Sequence, residues 1–146
     1  MKVEIELTEK KTETTVKIIT NQITEEVSNI IKQIENINAE KIIAWKDKEA
    51  YILEFEQIER MYSSNGKVYI KTGKDEYTSK SKIYELEEKV KSKNFMRISN
   101  SEIINFKRVK SLDMSIIGTI AIRFESGDIT YASRRNIKKI KEYLKM

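Results

Sequence analysis

The chain has 146 residues, about one domain's length, enough to bury roughly two-thirds of its unfolded surface without a disulfide or metal staple. It contains no cysteine and no histidine, which excludes disulfide frameworks, zinc fingers, Cys nucleophiles and Ser-His-Asp triads. Hydrophobic residues make up 39% and charged residues 35%, and the net charge of +5 is unevenly spread: residues 1–40 hold 5 Lys and 8 Glu, residues 41–146 hold 23 basic and 15 acidic side chains. A sign split of this kind has two readings, a basic part that meets a polyanion or a solvated Lys-rich surface. No apolar run approaches the ~18 residues of a membrane span. The acidic start Met1-Lys2-Val3-Glu4 lacks the apolar core of a signal peptide, which points to the cytoplasm.

Two short strands open the predicted elements. Val3-Glu4-Ile5-Glu6-Leu7 alternates apolar and charged residues, and Val16-Lys17-Ile18-Ile19 reads as a second strand. Thr24 then caps a helix, with Glu25 and Glu26 where the helix dipole favours anions. Val27, Ile30, Ile31, Ile34 and Ile37 follow at helical spacing. Their stripe packs either on the domain's own sheet or against a second copy. From Lys41 the texture turns to β, with strands expected at 42–45, 50–53, 58–62 and 67–70 and a short one at 77–78. Asp47-Lys48-Glu49 is a polar turn. Asn65-Gly66 is the strongest turn signal, because both central residues of a type I′ turn need positive φ.

A short helix is expected around Ile83, Leu86 and Val90, then a strand at 95–98 broken by Ser99-Asn100-Ser101. Residues 101–105 read as a turn. Strands are expected at 109–112 and 116–124, and Ser126-Gly127-Asp128 turns the chain into a partner strand at 129–132. Ser133 caps a final helix whose apolar stripe is Ile137, Ile140 and Leu144.

Catalytic patterns are missing. Carboxylates alternate with Lys in solvated patterns, none is paired in an apolar setting, and no phosphate-cradling Gly-rich loop or G-x-S-x-G elbow occurs. The residues therefore argue against an enzyme, and no cofactor, metal or small-molecule substrate is expected. Two places are more informative. Arg134 and Arg135 put two cations in the first turn of the last helix, where the macrodipole disfavours them. Either an external anion resolves that conflict through the helix amides and both guanidinium groups, or two exposed arginines carry a trivial cost. Arg97-Ile98-Ser99-Asn100-Ser101 places a cation, two hydroxyls and an amide after a strand. Asn reads adenine and Arg reads guanine in the major groove, but a polar loop capping its own turn explains the same residues.

Taken in order, these pieces resemble a known family. The run Asn94-Phe95-Met96-Arg97-Ile98-Ser99-Asn100-Ser101-Glu102-Ile103-Ile104-Asn105, followed by Val109, is similar to the central signature of the LytTR (LytR/AgrA-type) DNA-binding domain. Tyr131-Ala132-Ser133-Arg134-Arg135-Asn136-Ile137-Lys138-Lys139-Ile140 resembles its close, and Asp47-Lys48-Glu49-Ala50-Tyr51-Ile52 and Asn65-Gly66-Lys67-Val68-Tyr69-Ile70 fall at the expected places before them. The resemblance implies an α+β fold, predominantly antiparallel β with short helices, over residues 41–146. Residues 1–40 then form a small strand-strand-helix segment that either dimerises the protein or receives a regulatory partner protein. It implies a response-regulator-like, sequence-specific transcription regulator that puts loops, not a recognition helix, into the major grooves of double-stranded DNA. Two copies on repeated half-sites are expected, because one loop-based module reads few bases. Carried onto this chain, the DNA-binding residues are Asn65 with Lys67, then Arg97, Ser99 and Asn100, then Arg134, Arg135 and Lys138. Asn100 and Arg135 are expected at base edges, and Arg97, Arg134 and Lys138 at phosphates. Many relatives have a histidine where this chain has Asn65 or Ser99, so base specificity does not transfer. Family members often carry a receiver domain upstream; only the 40-residue segment precedes the domain here, so a stand-alone regulator is expected. The competing class is a protein-interaction module whose basic face docks an acidic partner or an anionic membrane surface.

Overall fold

The computed structural model describes residues 1–10, 14–37, 40–91 and 94–146, and for residues 35–37 the backbone alone. The chain divides into two compact units, Met1–Ile37 and Asn38–Met146.

In the first unit the helix α1 (Glu25–Ile37) forms as its sequence dictates. Val27 N–H donates to Thr24 Oγ1 at 3.3 Å, and Glu25 and Glu26 occupy the first turn. Val27 is buried, Ile30 and Ile34 are half-buried and Ile31 is exposed; the Ile37 side chain lies outside the described residues. The two strands expected at 3–7 and 16–19 do not form, and their aliphatic side chains face solvent. Alternation states which face a strand would bury, but it does not by itself form a ladder, and neither segment joins one.

The second unit holds ten strands among the described residues, arranged in two antiparallel sheets. The larger contains β1 (Lys41–Lys46), β2 (Glu49–Glu54), β3 (Ile58–Ser64), β4 (Lys67–Thr72), β5 (Glu76–Ser79), β6 (Phe95–Ser99) and β7 (Glu102–Asn105), in the order β2-β1-β5-β4-β3-β7-β6. The smaller has β8 (Val109–Asp113), β9 (Ile120–Phe124) and β10 (Ile129–Ala132), in the order β10-β9-β8. Two tight hairpins carry the turn chemistry their residues announce. Asp47 and Lys48 have φ of 50° and 69°, and Asn65 and Gly66 have 51° and 76°, the positive values of a type I′ turn.

Two apolar cores result. Ile42, Leu53, Phe55, Ile58, Met61, Ile70 and Ile103 pack with Leu86 and Val90 of α2 (Ile83–Val90). On the other side Met96, Ile98 and Ile104 pack with Ile120, Ile122 and Phe124 of the small sheet and Ile140 of α3 (Arg134–Tyr143). Neighbouring residues Ile103 and Ile104 thus point into different cores, which buries β7 on both faces. That is why it shows no alternation and reads as a turn. Residues 116–119, expected to begin a strand, instead form a bend-containing loop, with Ile116 60% and Ile117 100% exposed; the ladder starts at Ile120. No described helix is long and apolar enough to cross a membrane.

Candidate nucleic-acid interface

Strand pairing brings the three predicted segments to one end of the large sheet. Tyr62 of β3 pairs with Glu102 of β7, and beyond that pair the Ser63 N–H donates to the Ser101 carbonyl at 2.8 Å. The Asn65-Gly66 hairpin tip and the β6–β7 turn at Asn100 are therefore neighbours. The third segment is pinned to the same turn. Ser133 donates through both its N–H, at 3.1 Å, and its hydroxyl, at 3.2 Å, to the Ile98 carbonyl. Arg134 and Arg135 consequently start α3 beside Ser99 and Asn100.

Ser133 does not cap α3 with its side chain, contrary to the sequence expectation. The hydroxyl is spent on Ile98 and accepts from Asn136 Nδ2 at 2.7 Å. The first helical turn thus lacks a hydroxyl cap; its Asn136 N–H donates to the Ser133 carbonyl at 2.9 Å, and two arginines stand at its start. The Arg134 guanidinium lies over the β8–β9 loop, where a Cβ placed on Gly118 would come within 3.1 Å of its Nη2. That loop, with its exposed Ile116 and Ile117, borders the same cationic end; its apolar run disguises it as a strand in the sequence.

The eight predicted residues divide into two groups. Asn65, Lys67, Asn100, Arg134, Arg135 and Lys138 are exposed. Arg97 and Ser99 are half-buried and turned onto the protein. Arg97 donates through Nε to the Ser99 carbonyl at 3.2 Å, through Nη2 to the Asn100 carbonyl, and through Nη1 to Glu87 of α2 at 3.2 Å. Ser99 Oγ accepts from the Ser101 N–H at 3.3 Å. Both side chains shape the turn that displays Asn100. Glu87, which sequence reasoning missed, anchors that brace from another element.

A polar cluster joins the two sheets behind this end. Arg60 reaches Glu102 at 3.3 Å and Asp128 at 4.0 Å, Lys71 also pairs with Asp128, and Thr130 donates to Glu102 at 2.8 Å. Ser126 donates to Glu59, which is only 2% exposed. Burial pushes the Glu59 carboxyl above the usual carboxylate range, while the Lys71 ammonium holds Asp128 below it. The sequence carries no sign of this buried carboxyl at Glu59. Its partner Ser126 lies 67 positions away, and no local pattern signals the contact.

Of the aromatic side chains near this end, two are engaged with each other and Tyr131, two residues before Ser133, is 59% exposed. Tyr62 and Tyr69 stack on each other across β3 and β4 at 5.2 Å, with Arg60 over the Tyr62 ring. Phe55 and Phe95 meet edge to face in the first core.

Comparison with known proteins places the fold in a family. The family model described as the LytTr DNA-binding domain matches residues 48–145. The chain belongs to the LytTR DNA-binding domain family. A solved LytTr DNA-binding domain from Bacillus cereus superimposes with a TM-score of 0.70 at 16% identity, covering 73% of this chain and 98% of that one. That likeness bears out the predominantly antiparallel β fold with short helices. Over 145 residues the chain is 29% identical to an uncharacterized HTH-type transcriptional regulator of Staphylococcus aureus strain MSSA476, covering 99% of this chain and 98% of the relative. It is 28% identical, with the same coverage, to one described alike from strain NCTC 8325 / PS 47. Among the described residues no two helices follow each other in a helix-turn-helix: five strands separate α1 from α2, and five more separate α2 from α3.

Proposed function

We propose that the protein is a sequence-specific transcription regulator that reads double-stranded DNA with loops placed in successive major grooves. The observation that carries this reading is the convergence of three separated polar segments on one end of the sheet, where six of the eight predicted contact residues are exposed. Asn100 and Arg135 read base edges. Lys67, Arg134 and Lys138 hold phosphates, helped by the uncapped first turn of α3, and Asn65 meets the duplex from the neighbouring hairpin. Arg97 and Ser99 act one step back, by fixing the turn. The relatives' description as transcriptional regulators, along nearly their whole length, supports the regulatory role. Two copies on repeated half-sites give a loop-based reader enough bases to be selective.

The test is a gel shift with duplex from the region upstream of the protein's own gene, against scrambled duplex, single strand and pelleting with anionic vesicles. Retention of the upstream duplex over the scrambled one at physiological salt is the expected result. Equal binding of all nucleic acids, or sedimentation with vesicles in preference to DNA, overturns it.

A further inference from the structure

The first unit leaves a pattern without a structural counterpart. Val3, Ile5 and Leu7 are 81%, 85% and 91% exposed, and Val16, Ile18 and Ile19 are 61%, 37% and 87% exposed. Neither segment belongs to any ladder. Aliphatic residues alternating with Glu and Lys make good half-buried strands and poor solvated chain. The unit is acidic, so a polyanion does not fit it.

Charge and period together select the partner. If the first segment pairs with its own copy about Ile5, Glu4 lies directly opposite Glu6, a like-charge pair that antiparallel ladders disfavour. If it pairs antiparallel with residues 16–19, Ile5 faces Val16 while Lys17 faces Glu4. Two residues further along, Ile5 faces Ile18 while Lys17 faces Glu6. Both registers keep the core aliphatic pairs on one face and oppose unlike charges on the other. A single copy leaves the two segments unpaired, although both are present in it. We infer that residues 3–7 of one copy pair with residues 16–19 of a second copy, and the reverse, so that two chains complete one small sheet that neither forms alone.

Such an exchange is isologous: two equivalent ladders close the dimer and leave no unsatisfied repeat to grow a filament. This inference specifies how the two copies proposed above assemble. Its test uses no DNA, so its failure leaves the duplex-reading residues standing.

The absence of cysteine makes the test clean. Full-length Ile5→Cys protein is mixed with Val16→Cys or Ile18→Cys protein under mild oxidation, with Ile116→Cys as an exposed control on the other unit. The expected result is a covalent heterodimer with the Val16 or Ile18 variant, formed at least tenfold faster than with the control, and a dimeric unmodified chain by light scattering. A charge swap gives a second readout: Lys17→Glu should weaken the dimer at least fivefold, and adding Glu4→Lys and Glu6→Lys should restore it. A monomeric unmodified chain overturns the inference. So does cross-linking no faster than the control, or an Ile5→Cys/Ile18→Cys double variant that closes only within one chain.

Discussion

Arg135 and Lys138 stand three positions apart on α3, both exposed, and their chemistry assigns them different work. A guanidinium offers a rigid fork to a guanine edge, whereas an ammonium is a point charge suited to a phosphate. Arg135→Ala should therefore cost about 1–3 kcal/mol on a selected duplex and much less on random duplex, measured by titration at fixed salt. Equal losses would move Arg135 to the phosphate class. Lys138→Ala should weaken both targets and flatten the salt dependence by about one unit, and an unchanged slope would contradict a phosphate role. These exposed polar residues are legible because nothing in the fold claims them. Arg97 is the counter-example. Its sequence neighbourhood looks like that of a contact residue, but three of its donors go to Ser99, Asn100 and Glu87, and the two backbone carbonyls among these partners leave no mark in a sequence.

At the scale of elements, the β6–β7 turn is held by a chain of contacts from α2 through Glu87 to Arg97. Glu87→Gln removes a negative charge near a cationic end, so electrostatics alone predicts tighter DNA binding. If the pair positions the turn, the variant should instead bind a selected duplex about 0.5–1.5 kcal/mol more weakly, while its binding to random duplex rises or stays level. Titration of both duplexes decides between the two signs. Legibility among the elements follows local chemistry. The hairpins at Asp47-Lys48 and Asn65-Gly66 are readable because positive φ selects their residues. The β7 strand is not, since four residues buried on both faces carry no period. The segments at 3–7 and 16–19 fail the other way: the period is present, but neither segment joins a ladder.

For the molecule as a whole, the polar clamp ties the β9–β10 turn of the small sheet to β3 and β4 of the large one. Glu59 and Asp128 bias it in opposite directions with pH. The Glu59 carboxyl is raised by burial, so its favourable protonated contribution is present at low pH and lost as pH rises through the raised value. Asp128 is lowered by Lys71, so its contribution is present above the ordinary Asp range and lost as pH falls through the lowered value. Glu59→Gln should therefore be more stable than the wild type at neutral pH, with the difference shrinking toward acid, as read from urea melts across that range. A constant difference would show that ionisation of Glu59 is not its cause.

The claim on which the functional account rests is that one duplex touches all three polar segments at once. Backbone amide spectra of the full chain, titrated with a duplex that the protein itself has selected from a random pool, test it directly. Resonances of residues 65–67, 99–101 and 134–138 should move together in one saturable transition. Movement at only one of these segments, or shifts gathered on the distant β1–β2 hairpin, would contradict it.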